Sequence, residues 1–278
     1  MNYQKINQDI LLKKVENFDL DETFECGQCF RWKKVGKVNY IGVVKNKVLK
    51  IEKLGNDIIF KNTKEEDFKK IWADYFDLNL NYSDVKKELS KISKTLKDAC
   101  NFAPGIRILK QDSWETLCSF IISQNNNIPR IKGIIERLCR EYGKHLFDDF
   151  YSFPDAEVIA KLSLNDLAPL KCGFRDKYIL DAAKKVASGE INLNLISNME
   201  IDKARLELMK INGVGKKVAE CVLLYGMHRL EAFPEDIWIK KAMEKLFPEY
   251  KPCDFGKFAG IAQQYIYHYV RINKDLFN

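Results

Sequence analysis

Residues 206–239, LELMKINGVGKKVAECVLLYGMHRLEAFPEDIWI, decide how this chain is read. Residues 211–215, INGVG, lie between a pair of apolar-periodic segments, and Gly213 and Gly215 allow positive φ and close approach of an outside group to the backbone. A helix opening at Lys216 turns unpaired N–H groups and the positive end of its dipole outward, which suits a phosphate. Lys217, Cys221 and Tyr225 follow at i, i+4 and i+8, so one helix face carries an amine above a thiol and an aromatic ring. In residues 233–238, FPEDIW, Asp236 follows a proline and precedes an apolar run, the position of a helix N-cap. On these residues alone the hairpin can equally be a plain turn, Lys217 a solvated lysine and Asp236 only a cap.

INGVGKKVAEC, followed nineteen residues after Lys217 by the aspartate of FPEDIW, resembles the helix-hairpin-helix, glycine/proline-rich loop and aspartate signature of the DNA glycosylase superfamily. The resemblance implies that Lys217 is the nucleophile of a bifunctional member and Asp236 its essential carboxylate. It implies that Gly213, Gly215 and Val218 form the phosphate-binding hairpin. It also implies a monovalent cation beside a DNA phosphate, held by the backbone carbonyls of Met209, Ile211 and Val214.

Length and composition agree with a DNA-binding globular protein. With 278 residues, 46% hydrophobic and 31% charged, the chain can bury a sizeable core, and its net charge of +7 favours an acidic partner such as nucleic acid. No apolar run reaches the roughly 18 residues needed to cross a membrane, and the opening MNYQKINQDILLKK lacks the apolar core of a signal peptide. Eight cysteines scattered through apolar patterns point to reduced thiols and an intracellular protein, in the cytoplasm or nucleoid if prokaryotic. Cys26 and Cys29 form a C-x-x-C with no second pair at zinc spacing. Only Cys253 lies beyond Asp236, so the four-cysteine iron–sulfur loop of some relatives is not expected, and no cofactor is required. His145, His228 and His268 show neither triad nor metal spacing.

The predicted fold class is α+β. From Gln8 to Asn62 apolar and polar residues alternate with period two, with turn signals at residues 35–37 and 54–57, which predicts an antiparallel sheet. From Thr63 the period becomes helical, with a stripe of Phe68, Ile71, Trp72 and Phe76 and a helix over 83–96. Pro104-Gly105 interrupts that pattern, which divides the chain into an N-terminal sheet domain with helices, 1–103, and an all-α helix-hairpin-helix domain, 104–278.

Four further segments narrow the resemblance, which runs from about Ile10 to Val270. Residues 26–32, CGQCFRW, read on their own as a strand entry with a glycine bulge. They resemble the GQ-x-FRW segment of the 8-oxoguanine DNA glycosylases, in which the glycine carbonyl, here Gly27, accepts the N7 hydrogen of the oxidised base. Guanine has a bare acceptor at N7, so one carbonyl separates a made bond from two opposed lone pairs. SQNNNIPR, 123–130, resembles the segment that fills the gap left by the flipped base, with Asn125 as plug and Arg130 as reader of the widowed cytosine. LKCGFRDKY, 170–178, resembles the wedge loop, making Phe174 the wedge and Arg175 a second cytosine contact. In the last helix Gln263 and Tyr267 share a face. By the same resemblance Gln263 bonds the Watson–Crick edge of the flipped base, and Tyr267 and Cys221 sandwich its ring.

The expected function is therefore removal of 8-oxoguanine from duplex DNA, opposite cytosine, by a monomer that flips the base, forms a Schiff base through Lys217 and cleaves the strand by β-elimination. Two alternatives stay open. In a glycosylase for alkylated or other damaged purines, Gly27 and Gln263 would have no joint purpose. In a non-catalytic DNA-binding module, Lys217 and Asp236 would not be needed.

Overall fold

A computed structural model of the protein describes residues 1–277. Six short segments, β1 (Tyr3–Ile6), β2 (Asp9–Leu12), β3 (Trp32–Val35), β4 (Asn39–Val44), β5 (Lys47–Leu54) and β6 (Asp57–Phe60), form one antiparallel sheet in the order β1-β2-β6-β5-β4-β3. Its register explains the alternation. Ile10 pairs with Phe60, Phe60 with Ile51 and Ile51 with Tyr40, so four fully buried side chains line one face across neighbouring strands. Phe68, Trp72 and Phe76 of the following helical segment close that core.

Several local expectations shift. β1 lies before the segment read as strand, and Leu20–Phe24 is a helix capped by Asp19, whose side chain accepts from Glu22 N. The helix expected over 83–96 is two helices, Tyr82–Leu89 and Lys94–Phe102, because Ser93 caps the second through Leu96 N. The second half is helical except for a small hairpin, His145–Phe147 with Phe150–Tyr151, which turns at Asp148 with a positive φ of 45°. Among the described residues no helix is long and apolar enough to cross a membrane.

The FRW triplet explains how sheet and helices lock. Trp32 stacks on Phe24 at 4.3 Å and donates from Nε1 to the Tyr75 hydroxyl at 2.8 Å. A Cβ on Gly42, its partner across β3 and β4, would meet the indole at 2.5 Å, so only glycine fits beneath the ring. Phe30 meets Phe120 edge-on at 5.7 Å, in the long helix Ser113–Ser123. Arg31 pairs with Glu115 at 3.4 Å and donates to the Tyr151 carbonyl. Three consecutive side chains thus anchor one loop to the sheet core, the helical core and the small hairpin. Cys29 is buried in the sheet core and Cys26 in the helical core, so the C-x-x-C pair serves two separate packings.

Gln28 is the buried fastener of the same loop. Its Nε2 donates to the Thr23 and Arg107 carbonyls at 2.9 and 2.7 Å, and its Oε1 accepts from Leu109 N at 2.9 Å. Replacing it by leucine keeps the volume and leaves the Thr23 carbonyl only the Cys26 thiol, while the Arg107 carbonyl and Leu109 N lose the Gln28 amide, at a cost of about 3 kcal/mol. Gln28→Leu is expected to lower the thermal midpoint by roughly 6–12 °C. A fall of less than about 2 °C on the same scale would show that the loop is held by packing alone.

Candidate active site

The hairpin is built by its neighbours. Helix Ile201–Leu208 ends at Met209, and the turn through Asn212 is held by Asp181, which accepts from Asn212 N at 2.8 Å and from its side-chain amide at 2.9 Å. Lys185 pairs with Asp181 at 3.2 Å and donates to the Lys210 carbonyl at 2.7 Å. Gly213 has φ of 79° and lies against the Tyr178 ring, where a Cβ would approach to 2.4 Å. Gly215 is extended, with φ of −94°, and a Cβ there would meet nothing within 4 Å. The two glycines therefore differ: Gly213 is required by conformation and packing, whereas Gly215 leaves the backbone open to the outside. Val218 is buried, so what it offers the hairpin is its N–H, one of the first helical donors without an intrahelical partner.

Lys217, on helix Lys216–Cys221, is half-buried, and its Nζ sits 5.0 Å from the centre of the Phe120 ring. Lys216 points away and pairs with Glu235 at 3.3 Å. Asp236 caps helix Ile237–Leu246, its Oδ1 accepting from Trp238 N at 3.0 Å and Ile239 N at 2.8 Å. Glu220 fixes the relation between the two. Its carboxylate is buried, accepts from Phe233 N at 2.7 Å and pairs with Arg205 on the preceding helix. One side chain a turn beyond Lys217 thus holds the loop that delivers Asp236.

Cys26, Gly27, Phe120, Lys217, Tyr225, Pro234, Asp236, Gln263 and Tyr267 line one cleft. The structure brings Lys217, Asp236, Gly27, Gln263 and Tyr267 together, with Cys221 buried beside Lys217. Burial pushes the Cys221 thiol up to about 11 against the pull of Lys217, and pushes Cys26 up to about 12. Both remain neutral thiols near pH 7, so neither competes as a nucleophile with the Lys217 amine in the same cleft. Burial also raises the Tyr267 phenol although Arg271, 3.4 Å from its hydroxyl, opposes this. Gly27 has φ of 85° in a loop outside β3, so the strand-entry bulge reading of residues 26–32 does not hold. Phe120, Pro234 and Tyr225 complete the walls; Phe120 is legible in the sequence only as a core position of its helix, and its stacking on Tyr225 at 5.4 Å has no signal in the spacing.

A second group stands apart from the cleft. Asn125 is exposed with φ of 47°, between helices Ser113–Ser123 and Ile128–Tyr142, and Arg130 is exposed on the first turn of the second. Phe174 is 48% exposed at the tip of its loop, as a wedge requires. Arg175 departs from expectation. It is 3% exposed, and its guanidinium donates to the carbonyls of Gln124 and Asn125 at 2.8 Å each and of Cys172 at 2.9 Å. In this conformation Arg175 does not present a free edge to a cytosine; it holds the Asn125 loop in place, because those carbonyls, left by the broken helix, need donors.

Comparison with known proteins identifies the family. The family model for the N-terminal domain of 8-oxoguanine DNA glycosylase matches residues 10–117, and that of the HhH-GPD superfamily of base excision DNA repair proteins matches residues 118–252. The chain belongs to the 8-oxoguanine DNA glycosylases. It is 39% identical to the Clostridium acetobutylicum 8-oxoguanine glycosylase/lyase, solved with duplex DNA containing cytosine opposite 8-oxoguanine, with a TM-score of 0.92 over 99% of both chains. It is 43% identical to MBOgg1, solved with a low-affinity DNA ligand, with a TM-score of 0.93 over 98% of this chain and 99% of that one. Over 229 residues, 70% of this chain and 72% of the relative, it is 30% identical to a probable N-glycosylase/DNA lyase of Methanothermobacter thermautotrophicus. Membership in the 8-oxoguanine DNA glycosylases fits a fold in which the sheet domain supplies Gly27 and the helices supply Lys217, Asp236 and Gln263.

Proposed function

We propose that the protein excises 8-oxoguanine opposite cytosine through Lys217. It is a bifunctional N-glycosylase and DNA lyase of base excision repair. The observation that carries the residue assignment is the shared cleft, in which an amine, a carboxylate and base-reading groups from both halves of the chain face one space. The flipped base enters between Tyr267 and Cys221, its N7–H donating to the Gly27 carbonyl and its Watson–Crick edge meeting Gln263. The Lys217 nitrogen attacks C1′ through its lone pair; the C1′–N9 bond breaks, the base leaves with one of the amine protons, and O4′ takes the other as the sugar ring opens to the imine. Loss of a C2′ proton then expels the 3′ phosphate. Asp236 stabilises the sugar cation that develops during the first step.

DNA is held by the N–H groups of the 213–218 hairpin, by Asn125 filling the vacated stack, by Phe174 wedging the duplex and by Arg130 reading the cytosine, with Arg175 as its support. The carbonyls of Met209, Ile211 and Val214 suit a monovalent cation there: Met209 ends its helix, where carbonyls lack intrahelical partners, and such an ion would bridge the hairpin to a phosphate. The division into 1–103 and 104–278 belongs to the same proposal, the first domain supplying Gly27 and the second the catalytic pair. So do a monomeric state and a place inside the cell.

The test is borohydride trapping on duplexes carrying 8-oxoguanine opposite each of the four bases. An adduct strongest opposite cytosine is expected, with Arg130→Ala flattening that preference by about tenfold, the worth of one bidentate base contact. Equal trapping opposite all four bases in the unaltered protein would remove the cytosine assignment.

A further inference from the structure

The Gly27 carbonyl discriminates only if its direction is fixed, and glycine is the residue least able to fix it alone. The peptides on either side are anchored. On one side the Gln28 carbonyl accepts from Gln111 Nε2 at 2.7 Å, while the Gln28 side chain ties down residues 23, 107 and 109. On the other, the Cys26 carbonyl accepts from Gln264 Nε2 at 3.0 Å, a contact from the C-terminal helix Ala259–Ile272. Gln264 is itself oriented: Tyr225 donates its hydroxyl hydrogen to Gln264 Oε1 at 2.5 Å, so the amide nitrogen must face Cys26. All four residues, Cys26, Gln28, Tyr225 and Gln264, are buried, where an unpaired amide or phenol would be costly. Among the described residues nothing donates to the Gly27 carbonyl itself, which is left for a ligand.

We propose that Gln264 and Tyr225 are positioning residues for base discrimination, a relay that clamps the Cys26–Gly27 peptide so that the Gly27 carbonyl faces position 7 of the flipped purine. This rests on the reading of Gly27 under Proposed function. The relay starts on the pocket wall, since the Tyr225 ring lines the cleft and stacks on Phe120. It ends at the one loop atom that separates a lesion from guanine.

The experiment measures binding, in a Lys217→Gln background, of two duplexes that differ only at position 7 of the purine: one carries 8-oxoguanine and the other its 7-deaza counterpart, with CH2 in place of N7–H. With Gln264 and Tyr225 intact, the 8-oxoguanine duplex is expected to bind at least about tenfold more tightly. Gln264→Met, of similar length but without the amide, is expected to bring that ratio within about threefold of unity while leaving the 7-deaza duplex bound as before. Tyr225→Phe is expected to move the ratio in the same direction by less, and serves if the first variant does not fold. Cleavage of a preformed abasic site by Gln264→Met with Lys217 intact is expected to be unchanged, because no base is read. A retained ratio, or an equal loss of affinity for both duplexes, overturns the relay while leaving the function intact. No preference between the duplexes with Gln264 and Tyr225 intact overturns the Gly27 reading and the relay with it.

Discussion

Lys217→Gln is expected to form no borohydride-stable adduct and to release 8-oxoguanine at least about 10³-fold more slowly, the order of loss when a covalent nucleophile is removed. The substitution is narrow. Glutamine keeps most of the side-chain length on the helix Lys216–Cys221 and removes the amine and the cation facing the Phe120 ring. No neighbour replaces it, since the Cys221 and Cys26 thiols are pushed by burial to about 11 and about 12 and stay protonated. Lesion binding should survive, because Gly27, Gln263 and Tyr267 are untouched. Lys216→Gln is the matched control: Lys216 is exposed, pairs with Glu235 and lies outside the cleft lining, so its adduct should persist. An adduct in Lys217→Gln, or its loss in both variants alike, would move the nucleophile elsewhere.

Whether a residue's role is legible in the sequence depends on whether it acts through its identity or through its surroundings. Alternation over residues 8–62 points to the sheet because a half-buried antiparallel strand must alternate, and the row Ile10, Phe60, Ile51 and Tyr40 is that alternation seen across strands. β1 escapes because YQKI exposes most of its side chains, and an exposed edge strand leaves little pattern. The proposed catalytic pair can be picked out because hairpin, lysine and aspartate stand close in sequence, and the structure places both side chains in one cleft. Glu220, Asp181, Gln28 and Gln264 are not. Their meaning lies in hydrogen bonds to backbone far away in the chain, as Gln264 to Cys26 is, and no spacing rule reports a contact of that span.

Arg175 shows the same limit from the other side. An arginine in a loop resembling a DNA-contacting one reads as a base contact, yet its guanidinium is spent on carbonyls of the Asn125 loop and of its own. Five donors in a rigid fork suit a cytosine edge and a set of orphaned carbonyls equally well. Only burial tells them apart. Phe174, one residue earlier and 4.4 Å from that guanidinium, stays exposed, so of the pair only Phe174 is free for the proposed wedge while Arg175 holds the neighbouring loop.

Asp236 caps its helix and is proposed to act in catalysis; ordinary alanine replacement would merge the two, and two substitutions are expected to separate them. Asp236→Asn keeps an oxygen for Trp238 N and Ile239 N, and asparagine caps helices as well as aspartate does, so the thermal midpoint should stay within about 2 °C. What it removes is the negative charge on the cleft wall. If that charge stabilises the developing sugar cation, base release should fall by roughly 10²–10³-fold, the range found for a lost electrostatic contact to a transition state. Asp236→Ala removes the cap as well, adding a loss of about 1 kcal/mol and a further 2–4 °C. Single-turnover base release with thermal melting on both variants separates these terms. Asparagine with full activity would make Asp236 a cap alone, and the burden of the first step would then fall on Lys217 and the pocket's hold on the base.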